Sequence, residues 1–82
     1  MAYNEAQILA GLAEIVNEET GLPADVVTAD KSFMDDLDID SLSMMTIVAL
    51  AEEKFEVTIP DNEVKNLATV GNAVAFVANA QA

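Results

Sequence analysis

Apolar residues recur at helical spacing in three stretches of the chain. Ile8, Leu12, Ile15 and Val16 fall at i, i+4, i+7 and i+8, which places them on one stripe of a helix. Asn4 precedes that stripe as an N-cap, and Gln7 stands at the capping-box position three residues later. Gly21 and Pro23 mark its end, glycine being suited to the left-handed residue that closes a helix. A second stripe, Met44, Ile47, Val48, Ala51 and Phe55, predicts a helix that begins at Asp40 or Ser41 and runs to about Phe55. Asp40 is its N-cap, and the charges of Asp38 and Asp40 complement the positive end of the helix dipole. A third stripe, Val70, Ala73, Val74 and Val77 with Phe76 alongside, predicts a last helix that starts after Thr69.

The segments between the stripes read differently. Residues 22–39 have poor periodicity and form a long connection, with room for a short helical turn. Val26, Val27, Phe33, Leu37 and Ile39 are expected to anchor it over the core. Glu56-Val57-Thr58-Ile59-Pro60 alternates like a strand, but no second strand is available to pair with it, so it reads as an extended connector. Pro60 and Asp61 then open a short helix through about Asn66, with Asp61 as its cap. Ala80-Gln81-Ala82 is expected to fray. The expected fold is all-α: a small up-down bundle of three main helices plus one short helix, with the long loop between the first two. No internal repeat or second domain is visible, and residues 1–82 read as a single domain.

Composition narrows the function. A chain of 82 residues can build one modest core. There is no Cys to staple that core or bind zinc, which fits a cytoplasmic protein. No apolar run is long enough to span a bilayer, and no basic stretch leads into an apolar one at the N-terminus, so neither a membrane span nor a signal peptide is expected. Fifteen Asp and Glu face three Lys and no Arg, for a formal net charge of −12. A nucleic-acid binder must replace phosphate counterions with cations, and an anionic membrane makes the same demand, so neither is an expected partner. Proteins with basic patches are, because opposite fields speed encounter. The chain has no His, the side chain that most often serves as general base near neutral pH. A self-sufficient enzyme is not expected; serine chemistry here calls for a second protein.

The stretch with the most chemical content is Asp35-Asp36-Leu37-Asp38-Ile39-Asp40-Ser41-Leu42. Three readings compete for it. As a calcium loop, Asp36, Asp38 and Asp40 match the first, third and fifth EF-hand positions, but Ser41 stands where the turn wants Gly and Ile47 where the bidentate Glu belongs. No metal ligand set is therefore assigned. As pure structure, acidic residues before a serine at a helix start are ordinary capping. As a modification site, the stretch presents an exposed serine at a helix N-terminus, a place that favours a phosphate group.

A resemblance bears on the third reading. Asp40-Ser41-Leu42 after Leu37, followed by an apolar helix, resembles the phosphopantetheine attachment motif of acyl carrier proteins. The context matches along nearly the whole chain. Phe33 lies eight residues before Ser41, then come Glu52-Glu53-Lys54-Phe55, Ile59-Pro60-Asp61 and Thr69-Val70 at the family's distances. The segment from Gly11 to Glu18 and the Asp-rich approach look most like the carriers of dissociated (type II) bacterial fatty acid synthesis. The resemblance implies that Ser41 carries a covalent 4′-phosphopantetheine, added from coenzyme A by a phosphopantetheinyl transferase with magnesium, and that Asp40 and Leu42 flank the attachment. Acyl chains would then be held on the arm as thioesters and passed between fatty acid synthesis enzymes by a cytoplasmic, monomeric carrier. Basic patches on those enzymes are expected to dock on Asp36, Asp38, Met45, Ala49, Glu52 and Glu53. An acyl chain is expected to shelter among Phe33, Ile47, Ala51, Leu67, Ala68 and Val70, with Ala75 a further small residue leaving room.

The chain departs from the family in places. Thr46 stands where many carriers have Glu, Asp38 where Gly is frequent, and Lys54 and Lys65 interrupt faces that are often wholly acidic. Rival readings are a polyketide or peptidyl carrier with the same arm and other cargo, and an acidic binding module with no prosthetic group.

Overall fold

The computed structural model describes residues 3–81, and over them the protein is all-α. Helix α1 spans Glu5–Thr20, α2 Ser41–Phe55, α3 Asp61–Val64 and α4 Val70–Ala80, with a 3-10 turn at Ala24–Val26. Helix α1 packs against both α2 and α4. One apolar cluster fills the space between them, and among the described residues no polar or charged side chain is buried.

Local capping sets the helix ends. Asn4 Oδ1 accepts from the Gln7 N–H at 2.8 Å while Gln7 Oε1 accepts from the Asn4 N–H at 2.9 Å, the reciprocal box expected at the start of α1. Gly21 closes the helix at φ 81°, its N–H donating to the Asn17 carbonyl. Thr69 and Asn72 form a second box at the head of α4. All three expected stripes are buried, with Phe76 half-buried beside the last.

The long loop is anchored over the core as expected and is also tied to the head of α4. Two of the four N–H groups that a helix start leaves without partners find them in this loop. The Val70 N–H donates to the Lys31 carbonyl and the Gly71 N–H to the Ala29 carbonyl, both at 2.9 Å. Phe33 N–H donates to the Ala68 carbonyl at 3.1 Å, and Ser32 and Thr69 form an isolated antiparallel bridge. Val27, Phe33, Leu37 and Ile39 are buried as expected, but Val26 is 39% exposed. It ends the 3-10 turn, and its neighbour Val27 takes the inward position.

Three further expectations are corrected. Asp61 does not cap α3; Pro60 does, in extended backbone at ψ 149° and with no side-chain bond, so Asp61 is the first helical residue. There its charge still favours the helix N-terminus. The helix also stops at Val64 instead of Asn66, because Asn66 and Leu67 donate back to Glu63 and Val64 in a tightening turn. At the other end, Ala80 is helical and Gln81 is pinned instead of frayed: its amide exchanges hydrogen bonds with the Tyr3 backbone N–H and carbonyl. Ala82 lies outside the described residues.

Candidate functional site

The approach to Ser41 is wound on one residue, Ser32. Its carbonyl accepts from the N–H groups of Asp36 and Leu37 at 3.1 and 3.0 Å, its hydroxyl accepts from Asp35 N–H, and its own N–H donates to the Asp36 carboxylate at 2.8 Å. Ile39 N–H then returns to the Phe33 carbonyl at 2.9 Å. Leu37 and Ile39 point into the core while Asp36, Asp38 and Asp40 stay exposed. Asp38 makes the turn possible at φ 55°, the left-handed region that Asp tolerates better than most side chains. This is the position where Gly is frequent in the resembling family.

Asp40 caps α2, its Oδ1 accepting from the Ser43 N–H at 2.8 Å. The Ser43 N–H, with the Ser43 hydroxyl and Leu42 N–H adding to it, holds the Asp40 carboxyl below its ordinary value of 3.8. That carboxylate is therefore committed to the helix end and is a poor base for the hydroxyl beside it. Ser41 follows as the first residue of α2; it is exposed, and its Oγ makes no hydrogen bond among the described residues. The dispersal of the acidic side chains matters too: among the described residues no three of them converge to hold a metal ion.

Beside Ser41 lies a surface groove of about 470 Å³. Ser41 lines it together with the apolar Phe33, Met34, Met44, Met45, Val64, Leu67 and Ala68; Ser32, Asp35, Asp61 and Lys65 are its other polar members. Three large apolar side chains near it are open to water: Leu42 is 78% exposed, Met45 60% and Met34 53%. Leu42, Met45, Ala49 and Glu53 sit three or four residues apart along α2 and are all exposed, so they form one apolar strip ending in acid.

The residues expected to line an acyl pocket are split. Phe33, Leu67 and Ala68 line the groove next to Ser41. Ile47 and Ala51 meet Phe33 and Leu67 around an interior void of only about 10 Å³, barely room for one water. Val70 is fully buried and lines neither space, and Ala75 is exposed on the outer face of α4. The expected docking residues are more nearly together. Asp36, Asp38, Met45, Ala49 and Glu53 are exposed, but Glu52 is half-buried and Asp36 braces the loop. Met34, Val64 and Lys65 complete the groove without having been singled out for it. Met34 sits in an aperiodic loop that offers no signal. Val64 and Lys65 belong to a helix of one turn, too short for a stripe to show.

The chain is similar to known proteins along its whole length. A family model described as "Phosphopantetheine attachment site" matches residues 10–77. A protein of Beutenbergia cavernae named acyl carrier protein is 76% identical over 82 residues, covering 100% of both chains. One of the same name from Kineococcus radiotolerans is 74% identical over 78 residues, covering 95% of this chain and 96% of its own. Among solved structures, an acyl carrier protein from Enterococcus faecalis superposes with a TM-score of 0.79 at 31% identity, covering 95% of this chain and 99% of that one.

Proposed function

The chain belongs to the acyl carrier proteins, and from that premise we propose that Ser41 bears the arm and that the loaded chain passes acyl groups between enzymes of fatty acid synthesis. The family membership itself makes the chain a carrier and not an enzyme, with a covalently attached 4′-phosphopantetheine that a phosphopantetheinyl transferase supplies. The thiol of that group is what holds an acyl chain as a thioester.

The observation that carries the assignment to Ser41 is its setting: an exposed, uncommitted hydroxyl on the first turn of a helix, beside an open groove with apolar walls. A phosphodiester formed there would sit at the favourable end of α2. The chain supplies no His, and the neighbouring Asp40 carboxylate is spent on the cap, so the proton of the Ser41 hydroxyl must leave to a base on the transferase. Asp36, Asp38 and Asp40 would repel the phosphodiester, which gives their exposed charge a role toward partners instead. Leu42, Met45 and Ala49, edged by Glu53, suit a basic and partly apolar enzyme surface, and charge-steered contacts of that kind exchange quickly. On this reading residues 1–82 act as one monomeric cytoplasmic domain, and Thr46 leaves docking more dependent on Glu53 and the approach loop. The near-full-length likeness to proteins named acyl carrier protein, together with the Gly11–Glu18 segment, favours the fatty acid pathway.

Incubation with coenzyme A, magnesium and a carrier-protein transferase should add one phosphopantetheinyl mass to the wild-type chain and none to Ser41→Ala. Modification of the Ser41→Ala chain would refute the assignment. Analysis of the thioester cargo on protein purified from its own cell tests the pathway, since polyketide or aminoacyl groups there would replace the fatty acid reading.

A further inference from the structure

Resting on Ser41 as the attachment residue, we propose that Lys65 is the positioning residue for the arm: its ammonium pairs with the phosphodiester at Ser41 and holds the arm along the adjoining groove. The chain has only three cationic side chains. Of its three lysines, Lys54 is paired with Glu14 at 3.3 Å, away from the groove, and Lys31 lies in the loop beside Asp30. Neither lines the groove that Ser41 lines. Lys65 does, and it makes no ion pair among the described residues.

The electrostatics make one ammonium matter. A phosphodiester adds a negative charge to a surface that already carries −12. Asp35 and Asp61 line the same groove, and Asp36, Asp38 and Asp40 lead up to Ser41. The helix start attracts anions, but the Asp40 carboxylate already occupies it. Without a cation, every fixed charge near Ser41 would push the phosphodiester outward. Lys65 is the sole cationic side chain among the groove's lining residues. Its long stem can lie on the Val64–Leu67 wall while the ammonium stays in water, the arrangement lysine adopts at apolar edges. Asp61, one helical turn earlier, competes for the same ammonium. A pair this exposed is weak and salt-screened, so its effect is on where the arm lies and not on whether it is attached.

The test uses the full chain loaded from coenzyme A, with loading read separately by intact mass and its loss in Ser41→Ala. Phosphorus-31 and lysine side-chain NMR signals are then compared for wild type, Lys65→Gln, Lys65→Glu and, as a control, Lys54→Gln, at low and at physiological salt. Circular dichroism verifies that each variant stays helical. Loading should shift the Lys65 side-chain signals more than those of Lys31 or Lys54. Lys65→Gln should move the phosphorus resonance and loosen the arm, Lys65→Glu should move it further, and salt should carry wild type toward Lys65→Gln. On a loaded chain, Lys65 signals unchanged from the unloaded protein and one phosphorus resonance common to all variants would overturn this inference while leaving Ser41 in place. A chain that takes no arm overturns the attachment reading first, and this one with it.

Discussion

The Glu52 side chain holds the backbone of Ile59: Oε2 accepts from the Ile59 N–H at 2.7 Å across the connector that follows α2. Ile59 is buried, so this bond fixes where the chain re-enters the core before α3. A residue that sequence pattern assigns to partner docking is thus also a brace. Glu52→Ala should cost about 1–2 kcal/mol in a urea unfolding curve, the low end for a hydrogen bond to a charged group because the Glu52 side chain is only half-buried. Glu52→Gln keeps an acceptor oxygen and should lose much less. The pair of variants separates the two roles: no loss in Glu52→Ala would mean that the bond is irrelevant to stability, and an equal loss in both would mean that a neutral acceptor cannot replace the carboxylate. If Glu52→Gln alone weakens binding to a basic partner enzyme, the charge also serves docking.

Gly11 faces Phe55 across the α1–α2 contact. A Cβ at Gly11 would lie 2.6 Å from Phe55 Cζ, 3.0 Å from Phe55 Cε1 and 2.9 Å from Lys54 Cε. The lysine stem can move aside, but the buried ring also packs against Tyr3 in a T-shaped contact with centroids 5.2 Å apart. Gly11→Ala gains roughly 1 kcal/mol of helix propensity. Overpacking a closed core costs about 1–3 kcal/mol. The expected net effect is therefore a lower melting temperature, with partial recovery when Phe55→Leu is added. A higher melting temperature for Gly11→Ala would show that the ring has space to swing.

What could be read ahead of the structure divides by the range of the interaction. Asn4 with Gln7 and Asp40 at the head of α2 are bonds within three residues, and the stripes of Ile8, Met44 and Val70 are one-helix periodicities; both kinds are visible in the chain itself. Gln81 reaching Tyr3 and Glu52 bracing Ile59 are not, because their partners lie outside any one helix or turn and are set by how the chain folds back. The site divides in the same way. Ser41 and its flanking acids follow from a contiguous motif. The groove does not, since Met34, Met45, Val64 and Lys65 come from three separated segments that only the fold brings together.

Asp40 should make α2 acid-sensitive at its head. Its carboxyl is held below 3.8 in the folded chain, first by the Ser43 N–H. A group whose folded value is depressed adds stability that is present above the unfolded value and is lost as pH falls through the folded one. The loss therefore lies below about pH 3.8. It opposes a second trend: protonating the other carboxylates relieves the self-repulsion of a chain at −12, which favours compaction as pH drops from neutral. Carboxyl NMR titration should place Asp40 below its ordinary value, with the Ser43 amide signal moving in step. Asp40→Asn keeps a capping oxygen and should abolish that coupled titration. A Ser43 amide that titrates unchanged in Asp40→Asn would detach the effect from the cap.

Sheltering an acyl chain requires the core to open. Phe33, Met44 and Leu67 lie between the outer groove of about 470 Å³ and the inner void of about 10 Å³, lining both. Of the residues expected to shelter an acyl chain, Phe33, Leu67 and Ala68 line the groove that Ser41 lines, whereas Ile47 and Ala51 line only the inner void. The void holds about one water and no alkyl chain, so full entry must move well-packed side chains. Attaching an octanoyl group should accordingly shift the Ile47 and Ala51 signals as well as those of Phe33, Leu67 and Ala68. Replacing Ala51 with Leu should suppress the inner shifts while sparing the outer ones, because it fills the space the chain would use. Shifts confined to Phe33, Leu67 and Ala68 in the wild-type protein would mean that the chain rests in the groove and the core stays shut.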